Sequence, residues 1–351
     1  MISWSSVLGA TLGVLLVCVA LAGVVAAIRI RRHSREARRS RLMAPFRPHL
    51  VAVSAGEDPG GDSRRVLADV AGPARRALAE SVSGMLGKVR GLPAEQLVEV
   101  LASHGALGRA VEDLGHRSPV RRAQAAQLLG LSRDPAAVDP LVGALGDHAA
   151  EVRASAAYAL GLIGDPRAAG PLLHAVGAPC GGLPAGLAAD ALLSMGVGIS
   201  DSLVHGLVDP DPRTRTVTAH LCGAGSFTRA LPLLRDLVAL DPDLTVRETC
   251  ATALGRIGRA EDAEVLTRHT QVEHPQPLRR VCAAALGELG DPSAVPTLAA
   301  LTHDPDPRLA ELAASTLVRL GPQGRAALAA GGALRPVRSA VTMARLLGAL
   351  P

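Results

Sequence analysis

Large rings are almost missing from this chain. One Trp, one Tyr and two Phe make aromatics 1% of 351 residues. A core built around bulky rings is excluded, so burial must come from length and repetition. Lysine occurs once, at Lys88, and no Gly-x-x-x-x-Gly-Lys-Ser/Thr loop is present to cradle a phosphate. The five cysteines include no Cys-x-x-Cys pair, which argues against zinc. The eleven histidines are scattered; His269 and His274 flank a proline-containing turn and have no metal-ligand spacing. No cofactor-binding constellation stands out, so catalytic, cofactor and metal residues are all expected to be absent and the chain is read as a non-enzyme.

A basic surface is also missing, although the net charge is +5 and the pI is about 9.4. Arg29, Arg31, Arg32, Arg35, Arg38, Arg39 and Arg41, opposed by Glu36 alone, contribute +6. The remainder is 30 basic against 31 acidic residues, a net −1. A nucleic-acid footprint needs a basic face on the folded domain, and none is expected here.

What the chain has in abundance is one phrase, written seven times. In its clearest copy Val152-Arg153 leads to Leu160-Gly161 and Gly164-Asp165-Pro166. The marker glycine or its substitute is read at Gly130, Gly161, Gly196, Gly223, Gly255, Gly287 and Val318, giving spacings of 31, 35, 27, 32, 32 and 31. Such a period belongs to stacked solenoid units. Apolar residues four and eight positions after each start, such as Ala156 and Leu160 or Cys250 and Leu254, make one helical face. The proline after Gly-Asp ends that helix, and a second, shorter apolar segment follows. The expected fold is all-α, an α-solenoid of about seven helix pairs over 118–321. The stretch 177–186, GAPCGGLPAG, reads as an inserted loop before the third unit. Cys250 and Cys282 share one internal position and read as small core residues.

Residues 2–28 carry no charge, and 7–28 are long and apolar enough for one transmembrane helix. The lack of a basic n-region and the length of the run argue against a cleaved signal peptide. The arginines at 29–41 would orient the chain, with residues 1–6 outside and the solenoid in the cytoplasm at the plasma membrane. The same arginines could meet anionic lipid, and Gly9-x-x-x-Gly13 has a spacing that packs helix dimers. Residues 42–63 read as a flexible linker, 64–117 as a helical N-terminal cap region and 322–351 as C-terminal capping helices.

The Val-Arg, Ala-Leu-Gly, Gly-Asp-Pro and Pro-Leu signatures over roughly 105–321 resemble the HEAT repeat. Within it, the bacterial subfamily named after phycobilisome lyases is the most similar. The resemblance implies a ladder between neighbouring repeats, an acidic turn residue meeting an arginine early in the second helix. The acids would be Asp147, Asp209, Asp241, Glu273 and Asp304. The arginines would be Arg122, Arg153, Arg215, Arg247 and Arg279, with interruptions at Ala188 and Ala310. It also implies that the second helix lines the concave side, where Gln127, Tyr158, Leu193, His220, Thr252, Ala284 and Ser315 would form a groove for a partner's peptide or helix. The function expected is a membrane-anchored scaffold that docks a partner protein. The alternatives are an enzyme or accessory of the bilin-lyase kind, and an extracytoplasmic adaptor.

Overall fold

The computed structural model describes residues 40–178 and 181–330, with isolated helical residues at 21–23, 26, 29, 36–38 and 342. Among the described residues there are helices and turns and no strand. The chain forms two compact units, Met1–Ala110 and Val111–Pro351.

The first unit holds α1 (Arg47–Ala55), α2 (Asp62–Ala68), α3 (Pro73–Leu86) and α4 (Leu92–Ser103), and α5 (Ala106–Asp113) runs across its end. Leu50, Val53, Leu67, Leu78, Val82, Leu97 and Leu101 are buried in it. The linker expected over 42–63 is therefore corrected. Met43, Leu50 and Val53 are buried, α1 packs on α2 and α4, and Asp58 accepts the Ser63 and Arg64 N–H groups at the start of α2. The Pro, Gly and acidic residues of this stretch are turn and cap residues.

In the second unit, short first helices alternate with longer second helices. The first helices are α7 (Val138–Ala144), α9 (Ala169–Val176), α11 (Ser200–Gly206), α13 (Leu231–Leu240), α15 (Asp262–Arg268) and α17 (Val295–Leu301). The second helices are α6 (Pro119–Ser132), α8 (Ala150–Ile163), α10 (Ala185–Ser194), α12 (Pro212–Ala224), α14 (Leu244–Ile257), α16 (Gln276–Leu289) and α18 (Pro307–Arg319). Each second helix packs on the next, and α19 (Gly321–Ala330) closes against α17 and α18. The Asp-Pro turns behave as caps: the side chains of Asp134, Asp165 and Asp291 accept N–H groups two residues on, at 2.8–2.9 Å.

The marker glycine is a point of backbone contact. A Cβ at Gly130, Gly161, Gly223 or Gly255 would lie 2.5–3.0 Å from the Cα of Ala159, Ala191, Ala253 or Ala285 on the next second helix. At Gly287 it would meet Thr316 Cγ2 at 2.3 Å. In every case but Ala191 the residue contacted lies two before the next marker. Three residues after the marker the chain turns left-handed at Arg133, Gly164, Ser226, Gly290 and Gly321, while Gly258, three after Gly255, is extended.

Both rules move the third marker. Gly196 has φ +68 and is the cap glycine, while Ala191 is two residues before Leu193. The marker position is Leu193, and the spacings become 31, 32, 30, 32, 32 and 31. Burial agrees: Leu187, nine residues before Gly196 as Val152 is before Gly161, is 37% exposed, whereas Ala188 and Leu192 are fully buried. Consequently 177–186 is no insertion. Gly182, Leu183 and Pro184 replace what would be the first turn of α10, which starts at Ala185.

The expected membrane span, 7–28, lies almost wholly outside the described residues. Among the described residues no helix is long and apolar enough to cross a membrane. The expected placement of the chain as a single-pass plasma-membrane protein with a cytoplasmic solenoid is corrected accordingly: it needs such a helix, and the described residues hold none. Of the arginine cluster, Arg29, Arg38 and Arg41 are described and exposed; Arg31, Arg32, Arg35 and Arg39, like Gly9 and Gly13, lie outside the described residues.

Candidate interaction surface

Three rungs of the expected ladder form. Arg122 grips Asp147 with both fork nitrogens, Nε to Oδ2 at 2.6 Å and Nη2 to Oδ1 at 2.7 Å. Arg215 grips Asp241 in the same way at 2.7 and 2.9 Å. Arg279 pairs with Asp304. In the first two rungs Nη1 points backwards and donates to two carbonyls at the end of the preceding turn, His116 and Arg117, or Asp209 and Pro210. Each acid has a second task. Asp147, Asp241 and Asp304 accept the N–H groups of Ala149, Asp243 and Asp306, so the carboxylate fixes its own turn and the neighbouring helix together. The Arg122 guanidinium holds the Asp147 carboxyl below the usual carboxylate range.

The other rungs depart from expectation. Arg247 donates through Nε to the Val238 carbonyl, and no ion pair joins it to Glu273 among the described residues. Asp209 accepts the Asp211 N–H but has no arginine opposite, because the register puts Ala185 at that position. Arg153 donates through Nη1 to the Asp147 and His148 carbonyls and reaches no carboxylate. Among the pairs that sequence reading missed are Arg280 with Asp306 at 2.7 Å and Arg235 with the fully buried Asp262. Asp306 could have been found, since the Asp-Pro-Asp-Pro turn offers a second acid beside Arg280.

On the second helices Gln127, Tyr158 and His220 are exposed at one register position; Thr252 and Ala284 are half-buried there, and Ser315 is exposed. Tyr158 is 59% exposed. The corrected register puts Asp190, exposed, in the row, and Leu193 three residues along the same helix, at the marker position. Leu193 and Val197 are both exposed apolar side chains. An open groove of about 520 Å³ lies between the start of α10 and the starts of α12 and α14.

The described cysteines are core residues. Cys222, Cys250 and Cys282 are fully buried, and burial pushes the Cys222 and Cys282 thiols up to about 12. Cys18 and Cys180 lie outside the described residues. His269 is buried with its ring against that of His274, centroids 4.7 Å apart. Burial, together with His274, Arg247 and Arg268, lowers its pKa despite its bond to the Val265 carbonyl. Among the described residues no group of three or more His, Cys, Asp or Glu could hold a metal ion.

No curated protein matches the chain in sequence. Among solved structures, a mutant of Kap121p is similar at 13% identity and a TM-score of 0.56, over 78% of this chain and 35% of that one. Human deoxyhypusine hydroxylase is matched at 19% identity and a TM-score of 0.32, over 71% of this chain and 99% of that one. The CpcE–CpcF complex of phycocyanin lyase from Nostoc sp. PCC7120 is matched at 22% and 0.32, over 67% and 94%. The Kap121p likeness carries the α-solenoid fold alone. The expectation that this chain is a non-enzyme is withdrawn: it rested on missing motifs alone, and a missing motif excludes no activity. The profile of HEAT repeats matches residues 109–192, 200–286 and 273–345, well over half the sequence. It agrees with the paired helices and the rungs between them, and the chain belongs to the HEAT-repeat family.

Proposed function

We propose that the solenoid of the second unit docks a partner protein along the solvent-facing side of its second helices. The observation that supports this is the row itself. Glycine–alanine contacts join α6, α8 and α10, and again α12, α14 and α16, so Gln127, Tyr158 and Asp190 repeat in register, His220 holds the same position on α12, and Tyr158 is well exposed. The chain's single tyrosine, with Leu193 and Val197 near the end of the next second helix, offers apolar anchors on a mostly uncharged face. Such a surface suits an extended segment or a helix of a partner.

The test is a pair of charge substitutions, Tyr158→Asp and Leu193→Asp, in the full chain. Both side chains are at the surface, so the fold should keep its stability within about 0.5 kcal/mol each. Recovery of a partner identified with the unsubstituted chain should fall at least about tenfold, as for loss of an aromatic anchor. Unchanged recovery would rule the row out as the docking face.

A further inference from the structure

We propose that the edge of the solenoid formed by the turns of its fourth, fifth and sixth units pairs with the same edge of a second copy of this chain. One exposed aliphatic side chain by itself is ordinary. Here three recur at one register position. Val208, Leu240 and Val272 each stand fifteen residues before their unit's marker, Gly223, Gly255 and Gly287. They are 62%, 79% and 76% exposed. Each sits where a first helix, α11, α13 or α15, gives way to the turn before the second helix. In the other units the position holds Gly115, Gly146, Ala178 and His303, so the aliphatic strip has two defined ends. Exposed Pro210, Pro242 and Pro275 stand two or three residues further on and widen it. Helices packed about 8–10 Å apart spread the three tips over about 20 Å. A contiguous apolar strip rimmed by polar residues marks a surface that another chain covers.

The strip is complementary to itself. Its order is valine, leucine, valine, at equal separations of 32 residues. A two-fold axis at Leu240 therefore sets Leu240 on its own copy and Val208 on the partner's Val272. The charges beside it obey the same symmetry. Arg213, in the first turn of α12, and Glu273, in the turn after Val272, are both exposed, and neither forms an ion pair among the described residues. The axis carries Arg213 of each copy towards the partner's Glu273, once at each end of the strip. A parallel pairing would bring like charge to like, which is unfavourable. Neighbouring charges are engaged or set back. Arg268 donates to Glu264, and Asp209 and Asp241 accept N–H groups of their own turns. Asp236 stands one turn before Leu240 on α13, about 6 Å back from the tip. The proposal does not depend on the Tyr158 row.

The experiment is sedimentation equilibrium of the full chain over a wide range of concentration, with Cys18→Ser and Cys180→Ser as the background. A monomer–dimer equilibrium is expected. Leu240→Asp should weaken it about tenfold or more while the thermal midpoint holds, because the side chain is at the surface. Arg213→Glu and Glu273→Arg should each weaken it, and the double variant should restore it. Single cysteines under mild oxidation read the register. Leu240→Cys should crosslink to itself, whereas Val208→Cys and Val272→Cys should crosslink when mixed and little when alone. Thr228→Cys, exposed in the turn between α12 and α13, is the control. A chain that stays monomeric throughout overturns the proposal. So does a dimer that Leu240→Asp leaves unchanged, or a Leu240→Cys that crosslinks no faster than Thr228→Cys. Val208→Cys that crosslinks to itself as readily as to Val272→Cys would overturn the two-fold axis at Leu240.

Discussion

At the scale of single residues, the ladder arginines are held by two kinds of contact that differ in consequence. Arg215 and Asp241 are each more than nine-tenths buried, so removing one leaves the other without a counter-charge. Asp241→Ala should lower unfolding free energy by about 3–5 kcal/mol, measured by urea denaturation. Acid should weaken the rungs in a definite direction. Arg122 and Arg280 hold the Asp147 and Asp306 carboxyls below their ordinary value of 3.8. Because the folded pKa is the lower one, the stabilisation is complete above about pH 4 and is lost as pH falls through the folded values. Asn at either position should flatten that part of the stability curve. The residue pattern was legible for these rungs, since acid and arginine recur at a fixed offset. It failed at Arg153 and Arg247, because offset alone does not say whether the facing residue is an acid or whether the fork turns to a carbonyl instead.

At the scale of elements, the marker glycines set how closely the second helices approach. Gly130→Ala would put a methyl group 2.5 Å from the Ala159 Cα, and two helix backbones would have to separate. A loss of about 1–3 kcal/mol is expected. Gly84 lies inside α3 with nothing within 4 Å of its missing Cβ, so Gly84→Ala should be neutral or stabilise by up to about 1 kcal/mol. Differential unfolding of the two variants separates close packing from helix propensity. The turn between α15 and α16 should respond to mild acid. His269 is buried neutral, its pKa below 6.5, so the unfolded chain takes up its proton first. Stability contributed there is present above about pH 6.5 and is lost as pH falls towards the folded value. His269→Gln should remove that dependence, read from hydrogen exchange of the 269–275 turn.

At the scale of the whole molecule, the seven second helices of the solenoid were legible from periodicity, because each repeat must bury the same apolar face. The error in the third repeat has a physical origin. Most units carry two conspicuous positions three apart, a close-approach glycine and a left-handed cap, and in this unit the first is Leu193 and only the second is glycine. A string of residues cannot tell a glycine chosen for contact from one chosen for φ. Once the cap is recognised, the unit spacing is nearly uniform and Asp190 takes its place beside Tyr158 and His220. The apolar N-terminal stretch is a different case: its hydropathy was plain, but no helix among the described residues answers to it.

The central claim is that the exposed side of the second helices is where a partner sits. A photo-crosslinking residue placed in turn at 127, 158, 190, 220 and 252, and at 264 on α15 as a control, tests it directly in cells. Adducts to one partner at consecutive row positions, strongest at 158 and absent at 264, are the predicted result. Adducts at 264 with none along the row would contradict the claim.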